Sequence, residues 1–261
     1  MTRTQLTLIQ IDNYGPWTVT PAPRREPDLQ TLQSRLYADI SQFIGHSDGY
    51  VFFTRFDNMI AVTNGLGQEQ HARLQETVRN RYPVTISLSA ARGETPVEAL
   101  EQASGQLQRA GSAQDHERIE ILRTPSERGS TDRPESVQIA HFDVNDATGN
   151  YTDEINAFDS FIEIEQAYVC LMQHLRTTWD SLAFFVGGDN MIAVCPTLDA
   201  GAYRETIDHV EATVGVSLKV GVGSGQRAQA AGMAAKHALE TCRENGHAVE
   251  IAGPEVGASA E

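Results

Sequence analysis

Two short runs hold the residues best suited to chemistry. Asp57-Asn58-Met59-Ile60-Ala61-Val62 recurs as Asp189-Asn190-Met191-Ile192-Ala193-Val194, six consecutive identities at an offset of 132. Each Asp-Asn pair stands between apolar runs, the pattern of a tight hairpin whose turn tolerates positive φ. Upstream of each lies an apolar run closed by an aspartate, residues 6–12 ending in Asp12 and residues 137–143 ending in Asp143, at an offset of 131. With the first strand and the hairpin side by side in one sheet, Asp12 meets Asp57 and Asp143 meets Asp189. Two carboxylates at one sheet edge, with no lysine near them in sequence, suit a hard divalent cation holding triphosphate oxygens. Aspartate and asparagine are also ordinary turn formers; the duplication of the pairs is what points to a site.

After Asp12 comes Asn13-Tyr14-Gly15-Pro16-Trp17, then the pair Arg24-Arg25. A glycine loop between strand and helix can turn backbone N–H groups toward phosphate, and the two arginines can clamp it. Trp17 serves equally well as a core anchor. The second copy reads Val144-Asn145-Asp146-Ala147-Thr148-Gly149-Asn150 and lacks the arginine pair, so the halves have diverged. Next to Asp143, His141 is a candidate acid–base group, although a histidine in a half-buried strand is more often core. Ser224 lies in a glycine-rich strand end without the strand–nucleophile–helix context of a hydrolase. The eight histidines show no zinc spacing, and Cys170, Cys195 and Cys242 stand far apart, as buried small hydrophobes do.

These residues need a scaffold, and the repeat supplies it twice. Residues 84–88 match 216–220, again at an offset of 132, so three features keep their order and spacing. Each copy reads strand, helix, strand, strand, helix, strand. The first has a strand at about 4–12, a helix near 28–44, a hairpin of runs 50–56 and 59–63, and a helix near 68–81. A strand at 84–90, a helix opened by Thr95-Pro96-x-Glu98 and a last strand at 117–122 follow. The second has a helix at 153–176, the hairpin at 182–195 and a helix near 226–245. The fold expected is α+β, a tandem duplication of a ferredoxin-like βαββαβ palm unit, with an extra helix after the hairpin as in nucleotide cyclases. Its domains are 1–123 and 137–253, joined by a linker at 124–136 and followed by a tail at 254–261.

Composition narrows the setting. A formal charge of −15 argues against a nucleic-acid surface. No run reaches the length of a signal peptide or of a membrane span, which gives the expectation of a soluble, cytoplasmic protein. Only Lys219 and Lys236 among the 20 basic residues are lysines. An acidic, lysine-poor surface suits solubility in high salt.

Residues 8–21, followed by Pro23-Arg24-Arg25-Glu26, together with residues 51–65 and Gly187-Gly188-Asp189-Asn190-Met191, resemble the archaeal GTP cyclohydrolase III family, and the acidic composition points to a halophile. The resemblance spans essentially the whole chain apart from the linker and tail. It implies Mg²⁺-dependent hydrolysis of GTP, assisted by a monovalent cation such as K⁺. In that reaction water adds at the guanine C8 and the imidazole ring opens. A formylamino-pyrimidine ribonucleotide monophosphate and inorganic phosphate result, feeding riboflavin and deazaflavin (coenzyme F420) synthesis. A homo-oligomer of two to four subunits is implied as well. The expected metal ligands are Asp12 with Asp57, and as a second pair Asp143 with Asp189. Asn13, Tyr14, Gly15, Arg24, Arg25, Asn58, Gly188, Asn190 and Lys236 are the expected nucleotide contacts. Lys236 enters because Ala234-Ala235-Lys236-His237-Ala238-Leu239 is similar to the helix on which GGDEF diguanylate cyclases carry a phosphate-binding lysine; Gly187-Gly188-Asp189-Asn190 resembles their hairpin. Two other functions stay open. A nucleotidyl cyclase would use the same aspartates, although Asn58 replaces the second acidic residue of its hairpin. A GTP-sensing module without catalysis would use the same fold.

Overall fold

The computed structural model describes residues 3–55, 57–125, 136–145 and 155–253. The expected linker, apart from its ends, the loop 146–150 and the tail from 254 lie outside them. Two compact units divide the chain, one running from Arg3 and one from Ser136. The first contains β1 (Thr4–Ile11), α1 (Tyr14–Val19), α2 (Glu26–Gly45), β2 (Tyr50–Arg55) and β3 (Asn58–Val62). It continues with α3 (Gln68–Arg81), β4 (Ile86–Gly93), α4 (Pro96–Arg109) and β5 (Leu122–Arg123). Its sheet order is β2-β3-β1-β4-β5, with β1 antiparallel to both β3 and β4. The second contains β6 (Val137–Val144), α5 (Ala157–Thr178), β7 (Leu182–Gly187), β8 (Asn190–Cys195), α6 (Ala200–Val214), β9 (Leu218–Gly225), α7 (Ala228–Asn245) and β10 (Val249–Ile251). Read from β7, its order is β7-β8-β6-β9-β10, the same arrangement again. The expected α+β duplication of a palm unit is what the chain forms.

Each sheet buries one face under two helices. In the first unit Ile9, Ile11, Met59, Ala61, Ile86 and Leu88 pack under Leu36, Ile40 and Ile44 of α2 and Leu74 and Val78 of α3. The i, i+4 spacing on both helices makes an apolar stripe, and each fully buried Leu or Ile contributes roughly 1.5–3 kcal/mol. Acidic Glu26 and Asp28 in the first turn of α2 complement its dipole. The second unit packs Ala140, Phe142 and Val144 of β6 with Leu171 and Leu175 of α5 and Tyr203, Ile207 and Val210 of α6. Helix α7 covers the opposite face. It comes so close that a Cβ on Gly221 would stand 2.2 Å from the Leu239 nitrogen, and one on Gly223 2.3 Å from the Ala231 oxygen.

The strands differ from expectation in one respect that matters for the site. Val62 pairs with Leu6 and its repeat Val194 pairs with Ile139; Asn58 pairs with Gln10, and Asn190 with Asp143. The two first strands are therefore offset by 133, not 131. Buried Gln5 and Gln138 mark the same register, since Gln5 Nε2 donates to the Leu66 carbonyl (2.9 Å) and Gln138 Nε2 to that of Leu198 (3.2 Å). The counterpart of Asp12 is Asn145: the Asp12 N–H donates to the Thr85 carbonyl (3.0 Å) and that of Asn145 to Ser217 (2.9 Å). Asp12 and Asp143 are not equivalent positions.

Smaller differences follow. The expected glycine loop folds into the short helix α1. The last strand of the first unit shrinks to two residues. Positive φ falls not on the Asp-Asn pairs but on Gly187 (113°) and Gly188 (64°) ahead of the second. All three cysteines are free and buried. Among the described residues no helix is long and apolar enough to cross a membrane.

Candidate functional site

The site builds from the carboxyl end of β1. Antiparallel pairing with β3 brings the hairpin tip beside it, and the Ile11 N–H donates to the Asp57 carbonyl at 3.0 Å. Asp12 and Asp57 are thus neighbours through the backbone, but their carboxylates serve different partners. Asp12, only 4% exposed, accepts from Ser87 Oγ (2.5 Å), Thr85 Oγ1 (2.8 Å) and the Glu120 N–H (2.9 Å). Asp57 accepts from Arg55 Nε (3.0 Å) and Nη2 (2.6 Å) and from Asn58 Nδ2 (2.9 Å). Beside Asp12 stands Arg118, which donates to the Gly111 carbonyl (2.9 Å) and to Gln10 Oε1 (2.8 Å). Burial lowers the pKa of Arg118, and the charge of Asp12 opposes that shift.

The loop beyond is more closed than expected. Asn13 takes a left-handed conformation (φ 52°) as the N-cap of α1. Its N–H donates to the Ala113 carbonyl (2.7 Å), and that of Gly15 to Gln114 Oε1 (2.8 Å), so both amides already have partners. Tyr14 accepts from Gln33 Nε2 (2.6 Å); burial raises its pKa, with the charges of Glu26 and Asp57 adding to the shift. Arg24 folds back over the Trp17 ring, 3.9 Å from its centroid, and donates to the Trp17 carbonyl. Arg25 pairs with Asp28 at the surface. A cleft of about 370 Å³ opens between Trp17, both arginines and Leu32.

In the second unit the corresponding end of the sheet is cationic. Asp143, 4% exposed, accepts from Arg243 Nη2 (2.8 Å) and lies 3.4 Å from Lys219 Nζ. The aspartate expected to lack a lysine has one on the neighbouring strand. His141 Nε2 donates to Asn190 Oδ1 (3.0 Å), and Asn190 Nδ2 donates to Asp189 Oδ1 (2.8 Å), so the hairpin carboxylate is tied to the strand histidine. Burial lowers the pKa of His141; Asn190 and Asp143 oppose the shift, and the nearby charges of Lys236 and Arg243 add to it. Exposed Lys236 thus reaches this end of the unit, whereas Gly188 lies on the exposed turn.

The two ends differ in what cation they suit. A carboxylate already met by Lys219 and Arg243 has little left for a dication, so the pair Asp143–Asp189 does not fit one. In the first unit, Asp57 is held by an arginine whose side chain is 72% exposed, a pair that exchanges readily. Among the described residues no side-chain cation hydrogen-bonds to Asp12, and carboxylate oxygens are the hard ligands that Mg²⁺ takes. Of the two ends, the first leaves the more exchangeable carboxylate, that of Asp57. Among the described residues no group of three or more His, Cys, Asp or Glu stands close enough to hold a metal unaided.

Sequence reasoning missed the partners of the aspartates: Thr85, Ser87 and Glu120 for Asp12, with Arg118 standing nearby, and Lys219 and Arg243 for Asp143. One signal was available, because aligning residues 84–88 with 216–220 already sets Ser87 against Lys219.

The fold and these paired sheet ends define a duplicated palm-type α+β protein. A family model described as GTP cyclohydrolase III matches residues 5–252. A protein of that name from Natronomonas pharaonis is 67% identical over 97% of this chain and 100% of its own length. Another from Halobacterium salinarum, GTP cyclohydrolase III 1, is 62% identical over 97% of this chain and 99% of its own. The GGDEF domain of PA1120 from Pseudomonas aeruginosa is a solved structure with 16% identity and a TM-score of 0.39, covering 46% of this chain and 84% of that chain. The chain belongs to the GTP cyclohydrolase III family.

Proposed function

We propose that the chain is an enzyme that hydrolyses GTP, opening the guanine imidazole ring by addition of water at C8. The products of this reading are a formylamino-pyrimidine ribonucleotide monophosphate and inorganic phosphate, suited to riboflavin and deazaflavin synthesis. The observation that carries it is the 67% identity, over nearly the whole chain, to a protein named for GTP cyclohydrolysis. Asp57 and Asp12 would hold a magnesium ion, which supplies charge neutralisation at the triphosphate. For its part the protein ties the backbones that carry the two carboxylates together, through the Ile11 N–H and the Asp57 carbonyl. It excludes water from Asp12 and leaves Asp57 with a partner that substrate can displace.

The test is incubation with GTP and Mg²⁺ in high KCl, following the ultraviolet spectrum and free phosphate. Loss of the guanine spectrum with phosphate release is expected. Pyrophosphate with a cyclic or dinucleotide product, or unchanged GTP, would overturn the reading.

A further inference from the structure

Of the nine large hydrophobic side chains exposed among the described residues, four lie on one helix. Phe158 and Phe161 of α5 are 70% and 49% exposed, and Ile162 and Val169 follow them. With 3.6 residues per turn, positions 158, 161, 162, 165, 169 and 173 share one face, opposite buried Ile164, Leu171 and Leu175. Along that face runs a groove of about 1080 Å³, from Phe161 to Thr178 on α5, flanked by His209, Thr213 and Val214 of α6. His174 and His209 stack in its lining, their ring centroids 4.3 Å apart.

Covering Phe158 and Phe161 alone would take roughly 250 Å² out of water, and apolar patches of that order mark contact surfaces. A 22-residue helix is about 33 Å long and, with α6 beside it, about 20 Å wide. That strip approaches the ~800 Å² per partner that a stable dimer buries. The occupant follows from how the face is arranged. The aromatic pair stands at the N-terminal end of α5, and the groove runs from it to the C-terminal end. Laid antiparallel about a two-fold axis between residues 167 and 168, two copies of α5 match position by position. Phe161 comes level with His174, Ile162 with Gln173, and acidic Asp159 of the first turn with basic Arg176 of the last. No carboxylate of α5 then stands level with another, whereas parallel helices would set Asp159, Glu163 and Glu165 each against itself.

We propose that this face of α5 and α6 docks a second copy of the chain, with the two α5 helices antiparallel and the aromatic pair of each seated in the groove of the other. The family resemblance implies more than one subunit but assigns no surface to their contact, and this contact is independent of what the enzyme turns over. Salt favours it. Each chain carries a formal charge of −15, so two copies repel at low ionic strength. In about 1 M salt the screening length shrinks to about 3 Å, and burial of the apolar side chains is left to act. Association of two such copies therefore strengthens as KCl rises, whereas a basic partner held by charge would be released.

Sedimentation equilibrium of the full chain in about 0.2 M and about 2 M KCl measures the contact. The wild-type chain is expected to be a dimer or a multiple of one, held more tightly at the higher salt. Phe161→Glu, at an exposed position, should raise the dissociation constant about 30-fold or more. Met233→Glu, exposed on α7, should leave it unchanged. Gln166→Cys lies near the axis and should be joined to its own counterpart by a short bismaleimide, the native cysteines being buried; Phe158→Cys, far from the axis, should not. A wild-type chain that stays monomeric at high salt, or that dissociates as KCl rises, overturns the proposal. So does an unchanged dissociation constant in Phe161→Glu, or a Gln166→Cys chain that links no better than Phe158→Cys. Should Phe161→Glu fail to fold, the salt series and the cross-linking pair decide.

Discussion

Asp143 stands directly opposite Asn190 across β6 and β8, whereas the place opposite Asn58 in the first unit belongs to Gln10. On the neighbouring strand Asp143 faces Lys219 where Gln10 faces Ser87. A neutral amide–hydroxyl pair in one copy is thus an ion pair in the other, and Asp143 serves the fold.

Asp143→Ala should therefore act on stability. Removing a buried carboxylate takes from Lys219 and Arg243 the counter-ion they share and leaves Arg243 to Glu240, at a cost of about 2–3 kcal/mol. Urea unfolding should show the loss, while turnover per folded molecule stays near wild type. The double variant Asp143→Gln with Lys219→Ser installs the first unit's pair and should recover part of the stability. A large fall in turnover of the folded Asp143→Ala chain would return this residue to the catalytic machinery.

Asp57 behaves in the opposite way. Its arginine partner is exposed, so Asp57→Asn should leave the melting temperature almost unchanged. Turnover of GTP should drop about 100-fold or more, the scale on which a group acting on developing charge is felt. Asp189→Asn should keep most of the activity, because the Asp143–Asp189 pair does not fit a dication. Comparable losses in the two hairpin variants would mean that both units turn over.

Much of this was legible in the sequence, and the part that was not has a physical reason. The hairpins stood out because six identical residues recur, and α2 and α3 because their apolar residues keep helical spacing. The register of β1 against β6 did not show, because a slip of two residues returns every side chain to the same face. An alignment on Asp12 and Asp143 therefore satisfies the apolar pattern as well as the true one does. Gln5 and Gln138 held the answer, but a buried glutamine announces itself only once its partners at Leu66 and Leu198 are seen. Ion pairs such as Asp143 with Arg243, 100 residues apart, leave no local trace at all.

Gly221 and Gly223 are required by the approach of α7 to β9. An added methyl at Gly221 would lie within 2.3 Å of backbone atoms of Ala235 and Leu239, and backbone cannot swing aside as a flexible side chain does. Gly221→Ala should cost at least about 1–3 kcal/mol by overpacking and displace Lys236 and Arg243, which ride on the same helix. Loss of midpoint in a urea titration is the check. The contrasting control is Gly253→Ala, where an added methyl meets nothing within 4 Å.

His71 gives the first unit an acid-sensitive anchor. The ring is 2% exposed, with Nδ1–H donating to the Gly67 carbonyl (2.7 Å) and Nε2 accepting from Thr7 Oγ1 (2.8 Å). Burial holds its pKa below the ordinary 6.5, against the pull of the Gly67 carbonyl. As pH falls through 6.5 the unfolded chain takes up the proton first, so stability is full above that value. It then declines down to the folded-state pKa, at up to about 1.4 kcal/mol per pH unit. His71→Gln has no such group and should lose less between pH 7.5 and pH 5.5 than the wild type does, although it starts lower. Urea midpoints at the two pH values decide the matter, and equal losses in both chains would show that His71 does not set the acid limit.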